Sequence, residues 1–263
     1  MTAIDNDVTG VLSKAFDVLD TFGPTRQALS LSDITRRSGL PKTTTHRILQ
    51  QMLSVGAIER VGHRYQVGTR VFAVSARSRE ATVRDVALPH LTELNRRYGH
   101  TVHLATLCGA DVLYIEKLQS RATAASPSSI GGRLPAHCTA AGKVLMAWGS
   151  PGTAEVLREH RALPGRTTTS ITSVDQLRRS LRLVREHGFA RDDEEAAVGL
   201  RCLAVPVRVG DQAVAAISIA HSSDIELPRE GLFALQETAA RVGRDLYRVP
   251  GHLDLLMLDG LAG

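Results

Sequence analysis

Cysteine is scarce: Cys108, Cys138 and Cys202 are the three in 263 residues, far apart and without a C-x-x-C pair. That spacing excludes a disulfide framework and a structural zinc site. No apolar run approaches the ~20 residues that cross a bilayer. The opening MTAIDNDVTG has neither the basic start nor the apolar stretch of a signal peptide. The expected compartment is therefore the cytoplasm, with no membrane partner. Internal repeats and low-complexity tracts are absent. What remains is 43% apolar and 22% charged, the composition of a globular chain long enough for one large domain or two ordinary ones.

Positive charge is unevenly placed. Between Arg26 and Arg79 ten cations face two acids, Asp33 and Glu59, a net of +8 in a chain whose total is +5, so the remainder sums to −3. Such concentration is the electrostatic footprint of a nucleic-acid-binding module. Within it, LSDITRRSGLPKTTTHRILQQML (Leu31 to Leu53) reads as two short helices around a tight corner. Ser30 or Ser32 can cap the first, with Asp33 near its positive end. Gly39 suits a left-handed helix end, and Pro41 presets φ at the next helix start. Thr45, Ile48, Leu49 and Met52 fall at i, i+3, i+4 and i+7, one buried face. The other faces carry Lys42, Thr43, Thr44, His46, Arg47 and Gln50, side chains that can reach phosphates or base edges in a major groove. The pattern is a helix-turn-helix. Arg36 and Arg37 would add backbone contacts. An ordinary solvated helix face is the bland alternative, and the local charge argues against it.

Leu12, Ala15, Phe16, Leu19 and Phe22 repeat as an amphipathic helix ended by Gly23-Pro24. Beyond the helix-turn-helix, AIERV and YQVG flank Gly62-His63-Arg64 as two short strands around a tight tip. Three helices followed by a basic hairpin make a winged helix. His63 and Arg64 at its tip would lie against DNA, or form an idle turn. Thr69 to Arg79 reads as a linking helix, and Val83 to Tyr98 as a further helix interrupted by Pro89. The period then changes. TVHLATLC and DVLYIEKL form one antiparallel hairpin across Gly109-Ala110, and RCLAVPVRV and AVAAISIA another across Gly210-Asp211-Gln212. Between them lie the loop ATAASPSSIGGRLP and helical stretches Thr139–Trp148, Gly152–His160 and Val174–His187. A last amphipathic helix runs from near Pro228 to about Arg248. Hairpins with inserted helices point to an α+β sheet domain.

These segments together resemble one family. The winged helix, GGRLPAHCTAAGKVLMA, GFARDDEEAAVGLRCLAVPV and AAISIA are similar to those of the IclR family of bacterial transcriptional regulators, over roughly residues 8 to 250. The resemblance implies a winged helix-turn-helix at 8–68, a linker helix at 69–80, a GAF-like antiparallel-sheet effector domain at 81–250 and a tail at 251–263. It implies double-stranded operator DNA and a small-molecule effector as partners, assembly as a homodimer or homotetramer, and no cofactor. The effector would be gripped at Ala140, Ala141, Asp192, Leu200, Cys202 and Ser218. One departure stands out: two residues after Ser218, where a polar side chain is sometimes found, this chain has Ala220, which favours a more apolar ligand than a two-carbon oxoacid.

The residues give their own account of this pocket. Thr139, Ala140, Ala141 and Gly142 open a helix whose N–H groups could hold a carboxylate at the positive dipole end. Alternatively, small residues there merely let the helix pack closely on the sheet. A thiol-dependent enzyme built from His137, Cys138, Cys202 and His103 is a competing reading, as is a ligand-sensing module whose hairpin docks protein. No Ser-His-Asp arrangement or metal-ligand spacing supports catalysis. Adjacent acids from Asp192 to Glu195 cannot all converge on one ion, and most of them are expected in a solvated or strand-edge turn. The expectation is a regulator, read as a repressor, whose DNA affinity an organic or aromatic acid controls, with no metal and no catalytic residue.

Overall fold

Three short helices close the N-terminal unit because each offers one apolar stripe to the same centre. The computed structural model describes residues 10–23, 27–120, 126–149, 163–225 and 229–249. Helices α1 (Val11–Asp20), α2 (Leu31–Ser38) and α3 (Lys42–Ser54) bury Val18, Ile34, Ile48, Leu49 and Met52 together with Leu29, Ile58 and Tyr65. Of the two serines available as a cap, Ser30 serves: its Oγ accepts the Asp33 N–H at 3.1 Å while the Asp33 carboxylate accepts the Ser30 N–H at 3.3 Å. This reciprocal box satisfies two amides that the helix cannot. Gly39 takes φ +69 at the end of α2, and Pro41 caps α3. Strands β1 (Ile58–Val61) and β2 (Arg64–Val67) pair antiparallel around Gly62, which takes φ +60. Leu29 exchanges both backbone hydrogen bonds with Tyr65 at 2.8 Å, adding a bridge to β2 one pair from the hairpin's closing turn. The winged helix expected from the sequence is the observed fold.

Helix α4 runs Thr69–Ser75 and stops; helix α5 begins at Arg79 and continues to Tyr98. The expected single helix over 69–79 is thus broken at residues 76–78, and the division between the two structural units falls there, after Ser78. Pro89 does not interrupt α5. It sits on the exposed side, and the carbonyl it leaves unpaired belongs to exposed Asp85. Val83, Ala87, Leu91 and Leu94 form the buried stripe that holds the helix together across it.

The C-terminal unit is a six-stranded antiparallel sheet in the order β5-β4-β3-β8-β7-β6. Its strands are β3 (Thr101–Cys108), β4 (Asp111–Leu118), β5 (Arg133–Pro135), β6 (Ala190–Asp193), β7 (Leu200–Val209) and β8 (Gln212–Ser222). Both expected hairpins are present, turning at Gly109 and Gly210, each with φ +60. Edge strands β5 and β6 were not anticipated. The last 3 residues of the expected loop ATAASPSSIGGRLP are β5, and the run after Phe189 is β6.

Alternation sorts the strands onto two faces. Val102, Leu104, Leu203, Val205, Val207, Ile217 and Ile219 meet α5 and α8 (Arg229–Arg248) on one side. Ala105, Ala204 and Ala216 meet α6 (Ala140–Trp148) and α7 (Val174–His187) on the other. Alanines under α6 leave it room to sit low on the sheet. The expected helix Gly152–His160 lies outside the described residues, as does the tail. Among the described residues no helix is long and apolar enough to cross a membrane.

Gly142 sets how low α6 can sit. A Cβ there would stand 2.1 Å from the Ala136 carbonyl oxygen and 2.4 Å from its Cα, both backbone atoms. Gly142→Ala should therefore destabilise the C-terminal unit by about 1–3 kcal/mol. Urea unfolding followed through the single tryptophan, Trp148 on the same helix, reads this; an unchanged midpoint would mean that the Ala136 turn yields freely.

Candidate functional site

Two places carry chemistry, one on each unit. On the N-terminal unit the buried face of α3 leaves Lys42, Thr43, His46, Arg47 and Gln50 exposed, with Thr44 half-buried. Among the described residues the side chains of Lys42, Thr43 and Arg47 have no hydrogen-bond partner. Gln50 Nε2 lies 3.5 Å from His46 Nε2, so those two present a joint polar surface one turn apart. The remaining candidates divide. Arg36 pairs with Asp33 at 3.1 Å on the surface. Arg37 donates to the Thr21 carbonyl at 3.0 Å and Arg64 to the Ala28 carbonyl at 3.1 Å, so both tie chain segments together. His63 at the hairpin tip is exposed.

Both acids of this basic stretch are occupied by the fold. Capping hydrogen bonds from Ser30 hold the Asp33 carboxyl below its usual range. The Thr69 N–H, at 2.9 Å, and Gln66 do the same for Glu59. Both therefore stay ionised, with their acceptors turned to groups of the fold.

On the C-terminal unit, inward positions of separate strands meet the N-terminus of α6 around a small cavity of about 10 Å³, room for about one water. Ala140, Ala141, Asp192, Leu200, Cys202 and Ser218 all line it. Thr139, expected at the pocket, joins them, and His103, Tyr114, Ser126, Pro127, Leu134 and Ala196, which sequence reading does not place there, complete the wall. Ala220 is fully buried outside that wall.

The helix end is partly used. Thr139 Oγ1 accepts the Gly142 N–H at 3.0 Å, and its carbonyl accepts the Lys143 N–H at 3.0 Å. Ala140 and Ala141 keep the first two amides, which have no partner among the described residues. The two readings of the small residues therefore separate by position: Gly142 serves packing, whereas Ala140 and Ala141 face the cavity.

Asp192 is 1% exposed. Its Oδ1 accepts the Glu195 N–H at 2.7 Å and the Ala196 N–H at 3.3 Å, while Oδ2 has no hydrogen bond of ordinary geometry. Burial pushes its carboxyl up to about 7, against the Glu195 amide, with the Glu195 charge adding to the rise. Cys202 faces Asp192 in the strand register, and burial beside that carboxyl raises its thiol well above the ordinary range. Such a thiol is a weak donor and no nucleophile.

Burial pushes His103 down to about 3, with Lys117 contributing, so the ring is neutral. Its Nε2 lies 2.8 Å from Ser128 Oγ and its Nδ1 3.5 Å from Ser218 Oγ. His137 Nε2 donates to the Pro164 carbonyl at 3.0 Å, away from Cys202. The thiol-enzyme constellation does not assemble.

The acidic run departs from a uniformly solvated turn. Asp192 and Glu195 are buried, whereas Asp193 is exposed against Arg201 and Glu194 takes φ +60. Glu195 meets Lys143 of α6 in a buried ion pair.

Comparison with known proteins assigns both units. Residues 11–62 match the IclR helix-turn-helix domain, and residues 76–245 match the C-terminal domain of bacterial transcriptional regulators of the IclR type. The chain is 36% identical over 203 residues to the HTH-type transcriptional regulator XynR of Escherichia coli, covering 74% of this chain and 79% of that protein. It is 30% identical over 198 residues to the transcriptional repressor IclR of the same organism, covering 73% and 72%. Among solved structures, an IclR homologue from Microbacterium hydrocarbonoxydans complexed with 4-hydroxybenzoate superposes with a TM-score of 0.81 at 30% identity, covering 90% of this chain and 99% of that one. These relatives are regulators, not enzymes.

The raised Asp192 carboxyl fixes a sign. Its folded value lies above the unfolded one, so the folded chain holds the proton more tightly and loses stability as pH rises from about 4 to about 7. Asp192→Asn keeps the acceptor for the Glu195 and Ala196 amides and removes the charge. The variant's melting temperature should exceed the parent's by a margin that grows across that window and levels off above it. A variant less stable at pH 8 would show the carboxylate to be stabilised where it lies.

Proposed function

Because this chain belongs to the IclR family of transcriptional regulators, we propose that it is a repressor whose grip on operator DNA is set by a small organic or aromatic acid held in the C-terminal cavity. The observation that carries the reading is the meeting of all six effector-binding candidates, Ala140, Ala141, Asp192, Leu200, Cys202 and Ser218, around one cavity. The amides of Ala140 and Ala141 would hold the carboxylate at the positive end of α6. Leu134, Leu200 and Tyr114 would cover an apolar or aromatic body. The Microbacterium homologue is complexed with 4-hydroxybenzoate, an acid of the chemical character this wall suits and one for which the small cavity would have to widen.

On the DNA side, Lys42, Thr43, Thr44, His46, Arg47 and Gln50 of α3 would enter a major groove, with Arg36 on the phosphates and His63 beside the backbone. Arg37 and Arg64 each commit one N–H to a backbone carbonyl of the fold and would contribute field more than contact. The protein would act as a homodimer or homotetramer in the cytoplasm. Leu12 and Phe16 of α1 are 73% and 65% exposed, and Phe72 of α4 is 74% exposed, a weight of bare apolar surface suited to a second copy. Helix α4 and the 76–78 break would transmit the change. The effector can shift DNA affinity only by binding one arrangement of the assembly better than the other.

Arg47→Ala should weaken binding to the operator by ~1–3 kcal/mol and leave effector affinity unchanged. Arg37→Ala should instead lower the stability of the N-terminal unit with little change in the salt slope of DNA binding. Gel shifts at two salt concentrations and a melting curve separate the two; operator binding by Arg47→Ala equal to the parent's would remove α3 as the reading helix. In calorimetry, aromatic acids should bind and glyoxylate should not. Tight binding of the two-carbon acid alone would refute the apolar pocket.

A further inference from the structure

A second hollow lies at the other end of α6. Trp148, the last residue of that helix, borders a groove of about 630 Å³ between β7 and α8. Small-molecule sites run from about 300 to 1,000 Å³, and this groove falls among them, whereas the cavity at the first turn of α6 holds about 10 Å³. Small residues make the hollow. Ala239, Ala240 and Gly243 of α8 line it, and a Cβ on Gly243 would stand 2.4 Å from the Arg208 carbonyl oxygen. The helix therefore reaches the strand at that point, and the groove opens beside it.

The same contact gathers charge. Arg244 follows Gly243 in the chain, so the main chains at Arg208 and Arg244 are brought together, and both arginines line the groove. No acid does. The acids of α8 nearest to Arg244 are engaged elsewhere, Glu237 with Arg241 and Asp245 with His90 and Arg248. Arg208 meets Asp211 at 3.1 Å, but that carboxylate is fully exposed, and a pair held in open water contributes little. The Arg244 side chain has no hydrogen-bond or ion-pair partner among the described residues. Two like charges on one wall repel, and an anion lying between them removes the repulsion. The rings of Trp148 and Tyr247 complete the groove. We propose that it is a second ligand site, for an aromatic acid carrying two carboxylates. Each guanidinium fork takes one carboxylate through paired N–H donors, and the rings cover the aromatic body. The groove shares no residue with the cavity at the start of α6, so it stands whatever that cavity binds.

Trp148 is the chain's single tryptophan, so its fluorescence reports on this groove directly. The test titrates the full chain with isophthalate, with benzoate as the acid of half the charge and isophthalamide as the neutral body of the same shape. We expect saturable quenching of Trp148 by isophthalate, at least about tenfold tighter than by benzoate, and none that saturates with isophthalamide. Arg208→Gln combined with Arg244→Gln should weaken isophthalate by at least about tenfold. Ala240→Leu, which fills the groove and keeps both cations, should weaken it as well. All three positions are exposed, so these variants fold. Arg241→Gln, on α8 but outside the groove wall, should leave the affinity unchanged. An absence of saturable change at Trp148, or an affinity that survives the paired arginine variant or Ala240→Leu, overturns the second site. Equal affinity for benzoate overturns the requirement for two carboxylates, and equal affinity for isophthalamide overturns the anionic character of the ligand.

Discussion

The buried pair between Lys143 and Glu195 is the constraint on which the cavity depends. Lys143 lies on the second turn of α6 and Glu195 in the loop after β6, with side chains 4% and 10% exposed. Taking both charges out of water is costly, and removing one partner of such a pair typically costs about 3–5 kcal/mol because the other is stranded. The pair therefore fixes the loop against the helix. That loop presents the Glu195 and Ala196 amides to Asp192, and Thr167 and Ser170 hold its carbonyls from the far side. Each cavity wall is thus positioned by something other than a ligand: α6 by Gly142 on the Ala136 turn, Asp192 by its loop, His103 by two serines.

The N-terminal unit follows a different economy. Asp33 and Glu59 accept hydrogen bonds from the fold, and Arg37, Arg64 and Arg70 tie backbone carbonyls, while the exposed side of α3 carries cations, hydroxyls, amides and an imidazole and no acid. Charge counting along the sequence treats Arg37, Arg64 and Arg47 alike. The fold does not, since only the third projects without an internal partner.

Local signals carried the parts of the fold that are local. Both long hairpins could be read because Gly109 and Gly210 mark turns flanked by strands long enough to alternate. Capping and left-handed residues likewise marked α2 and α3. β5 and β6 are too short for a period to register, and α5 passes through Pro89 because its buried stripe outweighs one lost hydrogen bond. The acidic run from Asp192 to Glu195 looked uniform as text, yet the strand period turns Asp192 inward and Asp193 outward. His103 and Tyr114 reach the cavity through strand register, a relation between distant segments that no single window of sequence contains. The six effector candidates came from resemblance, and the pairing of β6 with β7 and of β7 with β8 supplies the physical reason that Asp192, Cys202 and Ser218 lie near one another.

The Leu29–Tyr65 bridge has a consequence for how a duplex would be met. It sews β2 of the wing, one pair from its closing turn, to the residue just before the cap of α2, while Ile34, Ile48 and Tyr65 share one core. Wing and reading helix are therefore a single rigid tile, and the spacing between the Gly62 turn and the face of α3 is set before any DNA arrives. A site whose grooves do not match that spacing must itself yield. Stiff and pliant base steps at positions never touched would then count toward recognition.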